Sequence, residues 1–525
     1  MLQEPLETAG DDKPPSPARA VSGAHRTARA SASLIGARLA GRGIDFVTLL
    51  VLARLLTPAD FGVVAIAMIL VLVVEAVFEL PVSQMLLVEP TVDEALLNTA
   101  FTLALLRGLV LALILAAASW PFAAVYHDGR LLPLICVLAF SPAFRGLQNP
   151  GMIHYDRALD YKRQISCDVG SKAVSCVVSC SFAFATHSYW ALACSTVLTP
   201  LLSLTMSFAL VPYRPRLTLS RWRLFRSFLG WLSAGQVFSA LTWQVDRVML
   251  GWAMSKQDVG RFTTADNLSA LPTQVLLYPA IGPLSVSLSG VGQDRERLRF
   301  AYLKLLGTIA LVGFPALSGL ALLAVPFARV VLGPAWGDAG VILRWLALAS
   351  IPSLLWIPFN TLALALKKSW IIFSRQLLDF AAKVPAAIVF VLLYGVIGAC
   401  IARGFATAIL GVASLLAARK LIEVRIRDQL QSIARPAFGC GMMAAVLTWP
   451  LAYMDRVDSL PVLVVAMATL AVVGAVVYGA TVTVLWRLAG SPAGGEALVH
   501  ALVARLLHPL QRFLPGPLGR WARQP

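Results

Sequence analysis

Residues 38–62 read RLAGRGIDFVTLLVLARLLTPADFG. The stretch is long and apolar enough to cross a membrane as a helix, yet its first half carries Arg38, Arg42 and Asp45. These residues stand at i, i+4 and i+7, so they share one helical face. Each would cost roughly 2.5–3.5 kcal/mol near the centre of a bilayer if it faced lipid. The pattern predicts a transport-type helix that turns its charged face to protein or to a wet cavity.

The composition of the whole chain indicates a polytopic membrane protein. Of its 525 residues, 58% are hydrophobic and only 14% are charged, which excludes an ordinary soluble domain. A net charge of +17 would suggest nucleic acid binding in a soluble protein. Here we expect the basic residues to face the anionic cytoplasmic leaflet instead. The sequence lacks a phosphate-binding glycine loop, a zinc-binding motif and a nucleophile elbow, so we expect no enzyme, no metal and no cofactor.

Apolar segments predict an all-α fold with about 14 transmembrane helices. They cover residues 33–56, 62–88, 95–118, 131–152, 164–185, 189–211, 228–253, 261–288, 301–324, 340–365, 372–394, 397–418, 436–454 and 461–486. Alternate loops are rich in arginine and lysine, which predicts that both termini are cytoplasmic. The loops between them hold only Arg130, Lys256, Arg329 and Arg456.

Three matched motifs, in the same order in both halves, predict an internal repeat. They pair Asp60-Phe61-Gly62 with Asp258-Val259-Gly260, Pro121-Phe122-Ala123 with Pro326-Phe327-Ala328, and Asp168/Lys172 with Asp379/Lys383. We expect six-helix lobes over 31–224 and 225–425, related by parallel topology, and an additional helix pair over 426–490. Residues 1–30 are predicted to be a disordered cytoplasmic tail and residues 491–525 a basic cytoplasmic tail.

The same motifs carry a family resemblance. The run ARLLTPADFG at 53–62 resembles the first loop of bacterial polysaccharide transporters. QVDRVMLG at 244–251, followed by DVGRF at 258–262, is similar to a second element of that family, with Phe262 where tyrosine is common. Arg157 in HYDRALDYKR fits the family's loop after the fourth helix. The chain thus resembles the polysaccharide branch of the multidrug/oligosaccharidyl-lipid/polysaccharide exporter superfamily, the Wzx-type flippases.

The resemblance implies a flippase in the bacterial inner membrane, acting in exopolysaccharide or O-antigen (lipopolysaccharide) biosynthesis. Its cargo would be an undecaprenyl-diphosphate-linked oligosaccharide, moved by ion-coupled alternating access. Membrane lipids, a polysaccharide polymerase and glycosyltransferases are the expected partners. The alternatives are a peptidoglycan-precursor or multidrug exporter of the same fold, and a membrane polymerase or ligase. The last needs a large outer loop with catalytic residues, and the outer loops are short.

Charged residues within the predicted helices are the candidate site. An anionic diphosphate calls for arginine or lysine, and the candidates are Arg38, Arg42, Arg145, Arg247, Arg344, Lys172 and Lys383. The candidates for ion coupling are the carboxylates Glu75, Glu79, Asp45, Asp168 and Asp379. Two alternatives stay open. Each Asp-x-x-x-Lys pair would also fit an intrahelical salt bridge, and Arg38 and Arg42 would also fit a ladder with Glu75 and Glu79.

Overall fold

A computed structural model describes residues 17–491 except 81, 90, 159, 278–293, 367 and 455–458, together with Glu496. The first part of the chain forms helices α1 (Pro17–Leu55), α2 (Pro58–Val77), α3 (Val82–Val88), α4 (Glu94–Val125), α5 (Leu131–Leu138), α6 (Phe140–Gly146), α7 (Ile153–Arg157), α8 (Lys162–Thr186) and α9 (Trp190–Leu210). The second part forms α10 (Trp222–Ala253), α11 (Lys256–Ser269), α12 (Arg295–Val331), α13 (Gly337–Ser350), α14 (Trp356–Ala365), α15 (Ser369–Ile422), α16 (Ile426–Met454) and α17 (Leu460–Leu488). The described residues contain no strand, which confirms the all-α prediction.

Ten helical segments in the described part of the chain are long and apolar enough to cross a membrane. One of them, Trp370–Ile422, holds two of the predicted spans, because the backbone of Gly395 leaves helical geometry between them (φ 59, ψ −132). The predicted number of fourteen spans stays a prediction. The first helix begins at Pro17, inside the segment expected to be a disordered tail. Apart from Glu496, the basic tail after Ser491 lies outside the described residues.

The repeated Asp-x-Gly motif begins an equivalent helix in each half. Thr57 caps α2 by accepting a hydrogen bond from the backbone N–H of Asp60, whose carboxylate accepts one from the Thr57 N–H at 2.9 Å. Ser255 caps α11 in the same way, accepting a hydrogen bond from the N–H of Asp258 at 3.2 Å. A capping residue followed by an acidic residue at the third helical position is a strong helix start. The motif therefore fixes where α2 and α11 begin.

Helices α1–α9 are here called the N-terminal bundle and helices α10–α17 the C-terminal bundle. The start of α10 packs on α3 and α4 through Phe225, and a larger contact between the bundles, here called the closed end, lies elsewhere. This closed end is where α1 ends and where α2 and α11 begin. One continuous hydrophobic core crosses between the bundles there, and it joins Leu52, Phe61 and Ile66 to Leu250, Phe262 and Trp336. Since buried apolar area drives such association, this core holds the closed end shut.

Within the C-terminal bundle, the last two helices pack on α12. The Tyr478 hydroxyl of α17 donates a hydrogen bond to the carbonyl oxygen of Leu311 at 2.8 Å in a buried position. Gly474 lets α17 approach Leu447 and Met443 of α16 closely. Most of the α17 surface stays apolar and uncovered by protein, as expected for a lipid-facing helix.

Candidate functional site

The closed end is built on a backbone-to-backbone contact between α2 and α11. A β-carbon added at Gly62 would lie 1.7 Å from the carbonyl oxygen of Lys256, and one added at Gly260 would lie 1.8 Å from that of Pro58. Only glycine fits at either position while the helices keep this distance. The two glycines of the sequence repeat are thus the paired contact points of the closed end.

Trp336 and Arg54 extend this closure to α1. The Trp336 indole lies edge-on to Phe61, with ring centroids 5.0 Å apart, and donates a hydrogen bond to the Ala53 carbonyl oxygen at 2.9 Å. The Arg54 guanidinium donates hydrogen bonds to the carbonyl oxygens of Val330 and Val331 at the end of α12. The C-terminal end of α1 is therefore attached to the opposite bundle by polar as well as apolar contacts.

An ion cluster lies at the rim of the closed end. Asp128, between α4 and α5, binds Lys256 of the opposite bundle at 2.5 Å and Arg130 of its own bundle at 3.0 Å. Burial by itself would raise the pKa of Asp128, but the hydrogen bonds from Arg130 and Lys256 outweigh it and lower the pKa to about 2. The carboxylate therefore stays ionised, and the bridge between the bundles persists, throughout the physiological range.

The charged face of α1 lies before the closed end, towards the N-terminus of that helix. Lys172 of α8 reaches across to Asp45 at 2.6 Å, and Arg42 lies 3.8 Å from the same carboxylate. The side chains of Arg42 and Asp45 are 48% and 42% exposed, so protein does not cover this face. These charges are open to the surroundings of the protein, where a contact with lipid would be costly.

A second polar region is a cavity of about 580 Å³ inside the N-terminal bundle. Its ionisable lining comprises Glu75, Glu79, Arg107, Arg145, Asp156 and Asp168. Arg145 binds Glu75 at 3.1 Å, and Arg107 donates a hydrogen bond to the Phe78 carbonyl oxygen at 2.7 Å. The lining therefore holds four carboxylates and two guanidinium groups.

The C-terminal bundle holds a buried ion network. The Asp246 side chain is fully buried between Lys383 at 2.9 Å and Arg403 at 3.0 Å. Asp266 binds Arg247 at 2.9 Å and also Arg403. Lys383 donates a further hydrogen bond to the Thr242 carbonyl oxygen at 2.8 Å. Such a network ties α10, α11 and α15 together, since breaking a buried pair is strongly destabilising.

The structure brings most of the predicted site residues into three groups. Arg42, Asp45 and Lys172 meet on the α1 face, where Arg38 lies one turn away and is exposed. Glu75, Glu79, Arg145 and Asp168 line the cavity, and Arg247 and Lys383 join the buried network. Arg344 is exposed and lies outside these groups, and Asp379 lies beside the buried network, near Lys383. Neither forms an ion pair within the part of the chain that the structure describes.

Neither alternative for the charged pairs describes the observed partners. Lys172 and Lys383 bind aspartates on other helices, so the salt bridges are not intrahelical. Glu75 binds Arg145, not Arg38 or Arg42, and no ladder joins α1 to α2 among the described side chains. The sequence placed these residues on helix faces, but only the fold decides which faces meet.

Sequence reasoning did not assign the residues of the closed end a role. Asp128, Lys256 and Trp336 lie at loops or helix ends, where periodicity carries no signal. The one signal that pointed there was the repeated Asp-x-Gly motif, whose glycines form the contact. No group of metal-ligating side chains occurs within the described ranges.

Two helical bundles that meet at a closed end, with ten helical segments among the described residues able to cross a membrane, define a multi-pass membrane protein. Residues 51–340 match the family described as polysaccharide biosynthesis protein. The chain belongs to this family. The predicted membership is confirmed.

Similar proteins agree with this assignment. The chain is 24% identical to the succinoglycan biosynthesis transport protein ExoT of Rhizobium meliloti (strain 1021), over 58% of this chain and 63% of that protein. It is 22% identical to the lipopolysaccharide biosynthesis protein WzxC of Escherichia coli (strain K12), over 72% of this chain and 77% of that protein.

Two solved structures share the fold. The lipid II flippase MurJ in an inward closed conformation gives a TM-score of 0.64 at 15% identity, covering 87% of this chain and 98% of that one. An inward-facing multidrug resistance MATE family transporter gives a TM-score of 0.59 at 17% identity, covering 72% of this chain and 94% of that one. These likenesses show that the chain shares the fold of the two structures.

Proposed function

We propose that this protein is a flippase for undecaprenyl-diphosphate-linked oligosaccharide repeat units in exopolysaccharide or O-antigen biosynthesis. The observation that carries the proposal is the accessible, net positive face of α1, where three basic residues (Arg38, Arg42 and Lys172 of α8) meet two carboxylates, Asp45 and the nearby Asp168. Basic side chains suit a diphosphate, and arginine binds it in a bidentate manner. The family membership and the named relatives support a polysaccharide precursor as the cargo.

The α1 face and the closed end lie on one helix, which links cargo binding to gating. Arg42 and Arg54 are separated by about 18 Å along α1, at 1.5 Å per residue. In this proposal the closed end faces the periplasm, because the loops predicted to be cytoplasmic carry most of the basic residues. The diphosphate head enters from the cytoplasmic side, and opening of the closed end releases it on the other side.

Ion coupling is assigned in this proposal to the cavity of the N-terminal bundle. Glu75 and Glu79 lie in its wall with Asp156 and Asp168, so entry of a proton or cation reduces the repulsion among four carboxylates. One charge that moves down the membrane potential supplies about 2.3 kcal/mol per 100 mV. That is enough to bias an equilibrium between two states that differ by a few kcal/mol.

The test of the cargo site is the double variant Arg38→Gln/Arg42→Gln, expressed in place of the wild type. We expect polymer export to be abolished, with normal amounts of the protein in the membrane and lipid-linked oligosaccharide accumulating in the cytoplasmic leaflet. Arg297→Gln is a matched control, since this arginine is 77% exposed and pairs only with Asp294 of its own helix start. Normal export from the double variant would refute the site.

The same assay separates the alternative cargoes. A peptidoglycan-precursor exporter would make the double variant arrest cell wall synthesis, and a multidrug exporter would make it drug-sensitive with normal polymer. Loss of polymer with normal wall synthesis and drug resistance is the outcome expected here.

The coupling site is tested by Glu75→Gln and Glu79→Gln in proteoliposomes with an imposed pH gradient. We expect both variants to lose the dependence of flipping on the gradient, because a glutamine cannot exchange a proton. Gln164→Glu, which adds a carboxylate to the same cavity wall, is the companion variant expected to keep that dependence. Wild-type rates across the pH range in both glutamine variants would contradict the assignment.

A further inference from the structure

The two bundles contain the same ion pair in different surroundings. In each of them the lysine of the Asp-x-x-x-Lys motif reaches an aspartate on the bundle's first long helix. Lys172 binds Asp45 at 2.6 Å, and Lys383 binds Asp246 at 2.9 Å. The repeat thus allows the exposure and the neighbouring cations of the two ion pairs to be compared within one protein.

The pair in the C-terminal bundle is sealed. Asp246 is 0% exposed and Lys383 10% exposed, and Arg403 supplies a second cation at 3.0 Å. Lys383 also donates a hydrogen bond to the Thr242 carbonyl oxygen. A ligand has no access to these charges, so they stabilise the bundle and have no part in binding.

The pair in the N-terminal bundle is open. Asp45 is 42% exposed and Lys172 29% exposed, and the other cation nearby, Arg42, lies 3.8 Å away and is 48% exposed. Arg38, one turn before Arg42, makes no ion pair with any described residue. Asp168 of α8 also lies near Lys172 and Arg38, so two carboxylates serve three basic residues, and Asp45 is the one that binds Lys172 directly among the described side chains. An exposed ion pair contributes only about 0.2–1 kcal/mol, so a ligand breaks this one at little cost.

We propose that Asp45 is an internal competitor for an anion-binding site formed by Lys172, Arg42 and Arg38, whose ligand is a diphosphate or a similar anion with more than one negative charge. This inference rests on the proposed function and identifies the residue that sets cargo affinity and release. In the empty protein the Asp45 carboxylate binds Lys172. When the anion binds, Lys172 exchanges Asp45 for the anion, and the Asp45–Lys172 pair forms again when the anion dissociates.

The competition has a physical basis in the charge count of the face. A diphosphate offers several acceptor oxygens to the three cations, whereas Asp45 offers one carboxylate. While the anion is bound, Asp45 repels it, and this repulsion weakens binding and speeds release. Binding that is too tight would trap the cargo, so a competitor on the face favours turnover.

The test measures binding of farnesyl diphosphate to the purified full-length protein in nanodiscs by calorimetry. Asp45→Asn removes the competing charge and should tighten binding about five-fold. Lys172→Gln should weaken binding by about the same factor. Asp45→Glu keeps the charge and should bind like the wild type, and farnesol, which lacks the diphosphate, should bind all variants equally.

Asp246→Asn is the matched control, since it makes the same change in the sealed pair of the other bundle. It should lower thermal stability without a change in affinity. Unchanged or weaker binding by Asp45→Asn, or an equal gain from Asp246→Asn, would overturn the inference. The proposed function is tested separately: if deletion of the gene leaves polymer export intact, that function fails, while a tighter Asp45→Asn complex still supports the competitor.

Discussion

Gly62 and Gly260 give a residue-scale explanation of how the two bundles meet. Asp60 and Asp258, two positions earlier, fix the start of their helices through capping. Each glycine then lies against the carbonyl oxygen of a residue at the start of the other helix. At these two equivalent places a short motif thus sets both where a helix begins and where it touches its partner.

Gly62→Ala is predicted to prevent full closure, because its β-carbon would lie 1.7 Å from the Lys256 carbonyl oxygen. Overpacking of this kind costs typically about 1–3 kcal/mol, and the helices relieve it by separating. Spin labels on either side of the closed end should report longer distances. A transport assay should show a lower rate. Gly319→Ala is the control, since nothing lies within 4 Å of a β-carbon at that position. An unchanged distance distribution for Gly62→Ala would contradict the prediction.

The charged candidates show how far the sequence reaches at this scale. The spacing of Arg42 and Asp45, and of Asp168 and Lys172, placed them correctly on helix faces. The partner of Lys172 is on α1, however, and that contact depends on packing between helices far apart in sequence. The sequence alone predicts which residues share a helix face, but not which helix packs against that face.

Helix α15 shows how much of a whole helix the sequence predicts. The sequence predicts spans over 372–394 and 397–418, and the structure has one long helix with a sharp break at Gly395 between them. The position of the break agrees with the boundary predicted between residues 394 and 397. The geometry of the break was not predictable, because the positive φ follows from how both legs pack on the C-terminal bundle.

Gly395→Ala is predicted to destabilise the protein, because its φ of 59 and ψ of −132 are unfavourable for a residue with a β-carbon. The expected cost is about 1–3 kcal/mol, measured as a lower melting temperature in detergent. Gly441→Ala should have the opposite effect, since that glycine lies inside α16 with open space around it, and alanine is the better helix former. A melting temperature for Gly395→Ala equal to or above the wild type would show that the break tolerates a side chain.

At the scale of the whole molecule, the repeat predicted two similar halves, and the structure shows how their sites differ. The C-terminal bundle buries its Asp–Lys pair in a network with Arg403, and the N-terminal bundle leaves the equivalent pair exposed. Similar spacing therefore produces a structural network in one half and an accessible charged face in the other. Local sequence did not reveal this division, because burial depends on helices that each bundle contributes from elsewhere.

The closed state is predicted to be insensitive to pH between about 5 and 8, because its ion bridge does not titrate there. The pKa of Asp128 is lowered from 3.8 to about 2. A lowered pKa means that the bridge to Lys256 contributes fully above about pH 4 and is lost only as the pH falls through about 2. Distances across the closed end, measured by spin labels in nanodiscs, should stay constant between about pH 5 and 8.

Asp128→Asn should shift the population towards the open state at every pH, since it removes the bridge between the bundles. Asp338→Asn breaks a pair with Arg261 inside the C-terminal bundle and should leave the distances unchanged. A closed population that decreases between about pH 7 and 5 would mean that another group controls closure.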